Sequence, residues 1–130
     1  MILVDTSVWV DFFNSSTGRG RLELQRMITA AESLALTGVV VAEVLQGITR
    51  DAPEVERYLA QWPMLDPQGF RTYSEAAAIF RLGRAKGISL TTIDALLAAI
   101  AIEHAASVFT LDKDFSQIAR LTALALHPLP

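Results

Sequence analysis

Four acidic residues stand where this chain could most readily do chemistry. Asp5 ends the apolar run Ile2-Leu3-Val4, and Asp112 ends Val108-Phe109-Thr110-Leu111. Glu43 interrupts the apolar stretch from Val39 to Leu45, and Asp94 opens the longest apolar run, Ala95 to Ile102. Carboxylates are hard oxygen ligands suited to Mg²⁺ or Mn²⁺. Four of them in one place would repel, so a cluster of this kind implies a cation. Such a cation activates a water and neutralises charge on a phosphate. The chain has no cysteine, which excludes thiolate sites and disulfides. His104 and His127 lack metal-ligand spacing and read as structural.

Each acid also has a structural reading. Thr91-x-x-Asp94 matches a capping box. Asp5 and Asp112 could be turn residues at strand ends. Glu43 is harder to place this way, because glutamate is rarely buried without a partner. Asp11 reads as a surface or packing residue of the first helix. Asp114 could cap a short helix or support the cluster, and it competes with Asp112 for the fourth position.

The elements that must position these acids alternate along the chain. Short apolar runs at Ile2–Val4, Leu34–Leu36, Met64-Leu65, Val108–Leu111 and Leu124–Leu126 read as strands. Between them, helical spacing predicts a helix from near Val8, capped by Thr6 or Ser7, and others over Leu22–Ala31 and Val39–Leu45. Further helices are expected over Asp51–Trp62, Gln68–Lys86, Thr91–Ala105 and Phe115–Leu121. Pro53 suits a first helical turn, and Gly87 a helix stop. Asn14 to Gly20, rich in Ser, Thr and Gly, reads as a loop. Strands alternating with helices predict a parallel sheet covered on both faces. Ligands then sit beyond the carboxyl ends of the strands, where Asp5 and Asp112 fall.

The 130 residues suit one domain, 1–130, with no repeat or linker. No secretory signal is visible, since Asp5 follows the apolar start at once. The run from Ala95 to Ile102 is far shorter than the roughly 20 residues of a membrane span. A soluble protein of a reducing cytoplasm is expected. The net charge of −3, taken alone, argues against a nucleic-acid binder. If the four acids form one metal-filled cluster, the rest carries a net +1, and nine of the eleven basic residues are arginine. Arginine offers phosphate a bidentate fork, so RNA binding is allowed by charge.

Taken together, these segments resemble the PIN-domain family, and within it the VapC-type toxins. Ile2-Leu3-Val4-Asp5-Thr6-Ser7-Val8-Trp9-Val10-Asp11-Phe12 is similar to the family's start. Val41-Ala42-Glu43-Val44-Leu45-Gln46-Gly47 looks like its second acidic motif, and Leu90-Thr91-Thr92-Ile93-Asp94-Ala95 like the third. Val108-Phe109-Thr110-Leu111-Asp112-Lys113-Asp114-Phe115 looks like the fourth. The four motifs stand in order over essentially the whole chain, and together they carry the resemblance.

The resemblance implies a three-layer α/β/α sandwich around a mostly parallel sheet of four to five short strands. It implies a Mg²⁺-dependent endoribonuclease, with Mn²⁺ able to substitute, acting as the toxin of a toxin–antitoxin pair. It carries over Asp5, Glu43, Asp94 and Asp112 as the catalytic cluster, with Asp5, Asp94 and Asp112 on the metal. Thr6 or Ser7 and Thr110 become polar supports. It further implies a homodimer, an RNA substrate and a VapB-like antitoxin. Three other readings are a phospho-acceptor receiver domain built on Asp5, Asp66 and Lys113, an inactive binding module with the same fold, and a DNA nuclease of the flap-endonuclease type, whose chains are generally longer with extra DNA-grasping segments. The receiver reading is strained, because Thr6 follows Asp5 where a second acid is normal and Pro67 follows Asp66.

Overall fold

The computed structural model describes residues 1–130. Its centre is a parallel sheet in the order β2-β1-β3, formed by β1 (Ile2–Val4), β2 (Leu34–Ala35) and β3 (Ser107–Phe109). Leu3 pairs with Ala35 on one side and with Val108 on the other. Leu3 and Val4 point to opposite faces of the sheet, and both are fully buried. The sheet is therefore covered on both sides, as its continuous apolar runs require.

The expected strands at Met64-Leu65 and Leu124–Leu126 shrink to one parallel bridge each. Met64 pairs with Leu36 and Leu126 with Val108, so these segments extend the sheet at its two edges. Counted with them, the sheet has five parallel positions, of which three are strands.

Seven helices surround it: α1 (Thr6–Asn14), α2 (Arg19–Thr29), α3 (Gly38–Gln46), α4 (Ala52–Leu59), α5 (Phe70–Ala85), α6 (Thr92–Glu103) and α7 (Asp114–Leu121). α1 packs on α2 and α3, and α3 on α4; α5, α6 and α7 form a second packed group. α6 is the most deeply buried helix, with Ala95 and Leu97 through Ala101 all in the core. Its apolar residues run all round the helix, as expected of a central one. Trp9 is fully buried among Phe12, Phe13, Tyr58 and Trp62, which fastens α1 to the α4 region.

One buried acid explains how an edge is held. Glu23 of α2 is nearly inaccessible and accepts bonds from Arg26 at 2.6 Å and 2.9 Å. Its other neighbour is His127, whose Nε2 lies 2.7 Å from Glu23 Oε2. Arg26 holds the Glu23 carboxyl down to about 2 against the opposing effect of burial, with help from His127. This network ties the C-terminal segment to α2, and it accounts for His127 as a structural residue. His104 is structural too, lying 2.8 Å from the Asp66 carbonyl oxygen.

Asp11 does more than the sequence suggested. Its Oδ2 accepts the Arg21 amide at 2.9 Å, so it caps α2 from ten residues away. That cap lets α2 begin at Arg19, inside the segment expected to be loop. Gly18 sits against the same carboxylate, and a Cβ there would fall on the Asp11 carboxyl group. Asp11→Ala and Gly18→Ala should each cost roughly 1–2 kcal/mol by removing or displacing this cap. Because both act through one contact, the double variant should lose less than the two losses added. Urea denaturation of the four proteins checks this, and strict additivity would show that the cap is not shared.

Candidate active site at the carboxyl edge of the sheet

Because the sheet is parallel, the chain leaves all three strands at one edge. Leaving β1 it delivers Asp5 and then α1. Leaving β3 it delivers Thr110, Leu111 and Asp112 and then α7. β2 is followed, after Leu36 and Thr37, by α3 with Glu43.

Asp5 is buried at the N-cap of α1, where Thr6 or Ser7 was expected to cap. Its side chain caps nothing. Instead Asp5 Oδ2 accepts the hydroxyls of Ser7 and Thr110, each at 2.8 Å. The Asp5 amide donates to the Phe109 carbonyl at 2.9 Å, which fixes the residue against β3. Thr110 Oγ1 in turn accepts the Asp112 amide at 2.9 Å, and Ser7 Oγ accepts the Leu111 amide at 2.9 Å. Two hydroxyls thus lock the β3 exit onto the β1 exit, and with it Asp112 onto Asp5. Glu43 is held separately: Thr6 donates to its Oε1 at 2.7 Å. Glu43 lies in the middle of α3 rather than in its first turn.

Asp94 is in the first turn of α6, and its amide donates to Thr91 Oγ1 at 3.0 Å. The capping reading of Thr91-x-x-Asp94 is therefore correct, and it does not compete with a site role. The carboxylate of Asp94 lies with those of Asp112 and Asp114, one oxygen from each being within 4.8 Å of the others. Asp114 begins α7, and its amide donates to Asp112 Oδ1 at 2.9 Å.

The structure thus brings Asp94 and Asp112 together, adds Asp114, and ties Asp5 to Asp112 through the Thr110 hydroxyl, while Glu43 is recorded only against Thr6, the residue after Asp5. The sequence posed Asp112 and Asp114 as alternatives. Their spacing of two across a helix start allows both to face the same space.

The charge state of Asp94 reflects this crowding. Burial raises its carboxyl above the ordinary value; the Thr91 hydroxyl and amide oppose the rise, and the charges of Asp112 and Asp5 add to it. Three hard carboxylate oxygens within 4.8 Å suit a divalent cation with oxygen ligands, and no sulfur or imidazole is present to favour a softer metal. The donor set therefore fits Mg²⁺ or Mn²⁺.

A raised Asp94 pKa means that the folded protein binds more protons than the unfolded chain. Metal-free stability contributed by this group is thus present at low pH and lost as pH rises through the folded pKa. Glu23, held at about 2, acts in the opposite direction, but only below its ordinary value of 4.5. In EDTA the contribution of Asp94 to the melting temperature of the wild type should therefore fall as pH rises through the raised value of this carboxyl. Asp94→Asn should flatten that fall. Thermal melts across pH decide it, and a variant with the wild-type pH slope would place Asp94 outside the crowd of charges.

Comparisons with known proteins place the chain in a family. The PIN domain profile matches residues 2–121. A VapC ribonuclease of Mycobacterium bovis is 34% identical over 128 residues, covering 95% of this chain and 96% of that protein. Ribonuclease VapC11 of Mycobacterium tuberculosis matches equally. Among solved structures, VapBC2 from Rickettsia felis, bound to a promoter DNA fragment, superposes with a TM-score of 0.76 at 19% identity, covering 98% of both chains. VapBC-1 from nontypeable Haemophilus influenzae gives 0.76 at 14% identity, covering 99% of this chain and 98% of that one. VapC20 of Mycobacterium tuberculosis, described as a sarcin-ricin loop cleaving toxin, gives 0.68 at 17% identity, covering 90% and 94%. The structural likenesses establish the fold, and the profile and the mycobacterial relatives establish descent: this chain belongs to the PIN-domain family.

Proposed function

We propose that this protein is a Mg²⁺-dependent endoribonuclease, with Mn²⁺ able to substitute, and the toxin of a type II toxin–antitoxin pair. The observation that carries the reading is the convergence of Asp94, Asp112 and Asp114 within 4.8 Å, next to the buried Asp5. Ribonuclease names among relatives at 34% identity support RNA as the substrate. The VapBC complexes among its structural neighbours support a VapB-like antitoxin as partner. A homodimer, a single domain over 1–130 and a cytoplasmic location complete the proposal. No helix is long and apolar enough to cross a membrane.

Asp94, Asp112 and Asp114 hold the cation, in place of the expected set of Asp5, Asp94 and Asp112, because the three carboxylates within 4.8 Å of one another include Asp114 and not Asp5; Asp5 completes the negative field. Asp5 Oδ2 is engaged by two hydroxyls, which fix the carboxylate and leave Oδ1 without a hydrogen bond. A bound divalent ion supplies Lewis-acid neutralisation of the phosphate and lowers the pKa of a water. Glu43, tethered at Oε1 by Thr6, keeps Oε2 available to take a proton from the attacking water. Thr6, Ser7 and Thr110 position these carboxylates.

The receiver reading fails on topology. Asp66 follows the Met64 bridge at the β2 edge, whereas Lys113 follows β3, with β2 and β1 between them. The inactive-module reading gains no support from a sequence that keeps all four acids.

Cleavage of total RNA should require Mg²⁺ or Mn²⁺, stop in EDTA and return when metal is added back. Asp94→Asn and Asp5→Asn should each lower the cleavage rate about 100-fold or more, because each weakens the metal's charge environment. Asp112→Asn and Asp114→Asn, made separately, rank the two acids. Undiminished cleavage in EDTA, with metal removal verified, would contradict the mechanism.

A further inference from the structure

A second feature adjoins the acidic cluster. Between the start of α2 and the β3–α7 connection lies an open cavity of about 530 Å³, lined by Arg19, Thr110, Asp112, Lys113 and Ser116 among others. A volume in this range accommodates a ligand of roughly nucleotide size. Asp112 and Thr110 belong to both the cavity and the site described above, so whatever fills the cavity touches the edge of the metal cluster.

The charges in the cavity are unevenly used. Asp11, on its wall, spends Oδ2 on the Arg21 amide. Asp112 is turned to the acidic cluster and the Asp114 amide. His127 is taken by Glu23. Arg19 and Lys113 are both exposed, and neither forms an ion pair with an acidic side chain, although acids lie close by in sequence and space. Arg19 makes one hydrogen bond, from Nη2 to the Pro130 carbonyl oxygen at 3.1 Å. A guanidinium has five donors, so most of its capacity is open. Two cations without an acidic side-chain partner and the Ser116 hydroxyl therefore line a space whose other end holds the metal acids. That polarity suits a phosphodiester chain: one phosphate meets the metal, and the next meets the cations.

We propose that Arg19 and Lys113 form a phosphate-binding subsite for single-stranded RNA, holding the nucleotide adjacent to the bond cleaved at the acidic cluster. This rests on the ribonuclease reading, and it assigns Arg19 and Lys113 to substrate binding rather than to the chemical step. The cations draw the strand along the α2–α7 side of the site and fix its register against Asp112. They also answer the problem of a net-negative protein binding a polyanion, because the positive charge is local to the path of the strand.

The test uses the full-length protein and a fluorescently labelled single-stranded RNA oligonucleotide of mixed sequence. Cleavage kinetics in Mg²⁺ and binding by fluorescence anisotropy are measured for wild type, R19A, K113A and R57A. Arg57 pairs with Glu54 on α4, outside the cavity, and serves as the control. R19A and K113A should each raise KM about tenfold, with kcat within about twofold, and weaken RNA binding to match. Each should also flatten the dependence of log affinity on log salt by about 0.7. The Mg²⁺ concentration for half-maximal activity should stay unchanged, and R19K should recover part of the binding. A purely structural role for Arg19 at Pro130 would lower the melting temperature without changing the salt slope, and that result overturns its assignment. Wild-type affinity and salt slope in both alanine variants would overturn the subsite and leave the ribonuclease reading intact if RNA is still cleaved. Absence of any cleavage by wild type would count against the ribonuclease reading itself; the anisotropy arm would still decide whether these cations bind RNA.

Discussion

Repulsion between carboxylates at the carboxyl edge of the sheet is the constraint to which the rest of this structure answers. Two unit charges 4.8 Å apart repel by about 1 kcal/mol in water and by about 3.5 kcal/mol at an effective dielectric near 20, and these partly exposed carboxylates lie between the two limits. Asp94, Asp112 and Asp114 all lie within that distance of one another. The protein's own compensation is smaller. Asp94 and Asp114 sit in the first turns of α6 and α7, at the positive ends of helix dipoles, and Asp5 stands at the N-cap of α1. Each such placement is worth roughly 0.3–1 kcal/mol. Helix termini thus make the cluster tolerable without neutralising it, and the remaining deficit is what a divalent cation fills.

Holding the acids together requires a frame that does not yield. Leu3, Val4, Val108 and Phe109 are fully buried, so β1 and β3 cannot separate without opening the core. Ser7 and Thr110 carry that rigidity to the acids. Their hydroxyls donate to Asp5 Oδ2 and accept the amides of Leu111 and Asp112, so each serves as both donor and acceptor. A hydroxyl can do this and an amide N–H cannot, which explains why Ser and Thr occupy the strand exits. α6 completes the frame. Its buried small and branched side chains let it pack deeply, and its N-terminal turn carries Asp94 to the same edge.

Much of this was legible in the sequence, because the signals are local. Asp5 and Asp112 each follow an apolar run that could only be a buried strand, and the Thr91-x-x-Asp94 pattern marks the helix start that the structure contains. Glu43 stood out as an acid among valines. What escaped local reading depends on contacts between distant segments. Met64 and Leu126 pair through single bridges, which no periodicity reports. The α2 start at Arg19 depends on a cap from Asp11, across a segment whose composition alone indicates a loop. Asp114 joined Asp112 rather than replacing it, because a turn stabilised by the Asp114 amide aims both carboxylates alike. Arg19 and Lys113 are ninety-four residues apart in numbering and meet only when the sheet is assembled.

The central claim is that this edge of the sheet is a divalent-cation site built from aspartates. Anomalous diffraction from crystals of the full chain grown with Mn²⁺ tests it most directly. The account predicts a manganese peak between Asp94 and Asp112, at about 2.0–2.2 Å from carboxylate oxygens as expected of a small divalent ion. It further predicts that the peak is lost in the Asp94→Asn protein. A peak held by other residues, or no peak at saturating Mn²⁺, would contradict it.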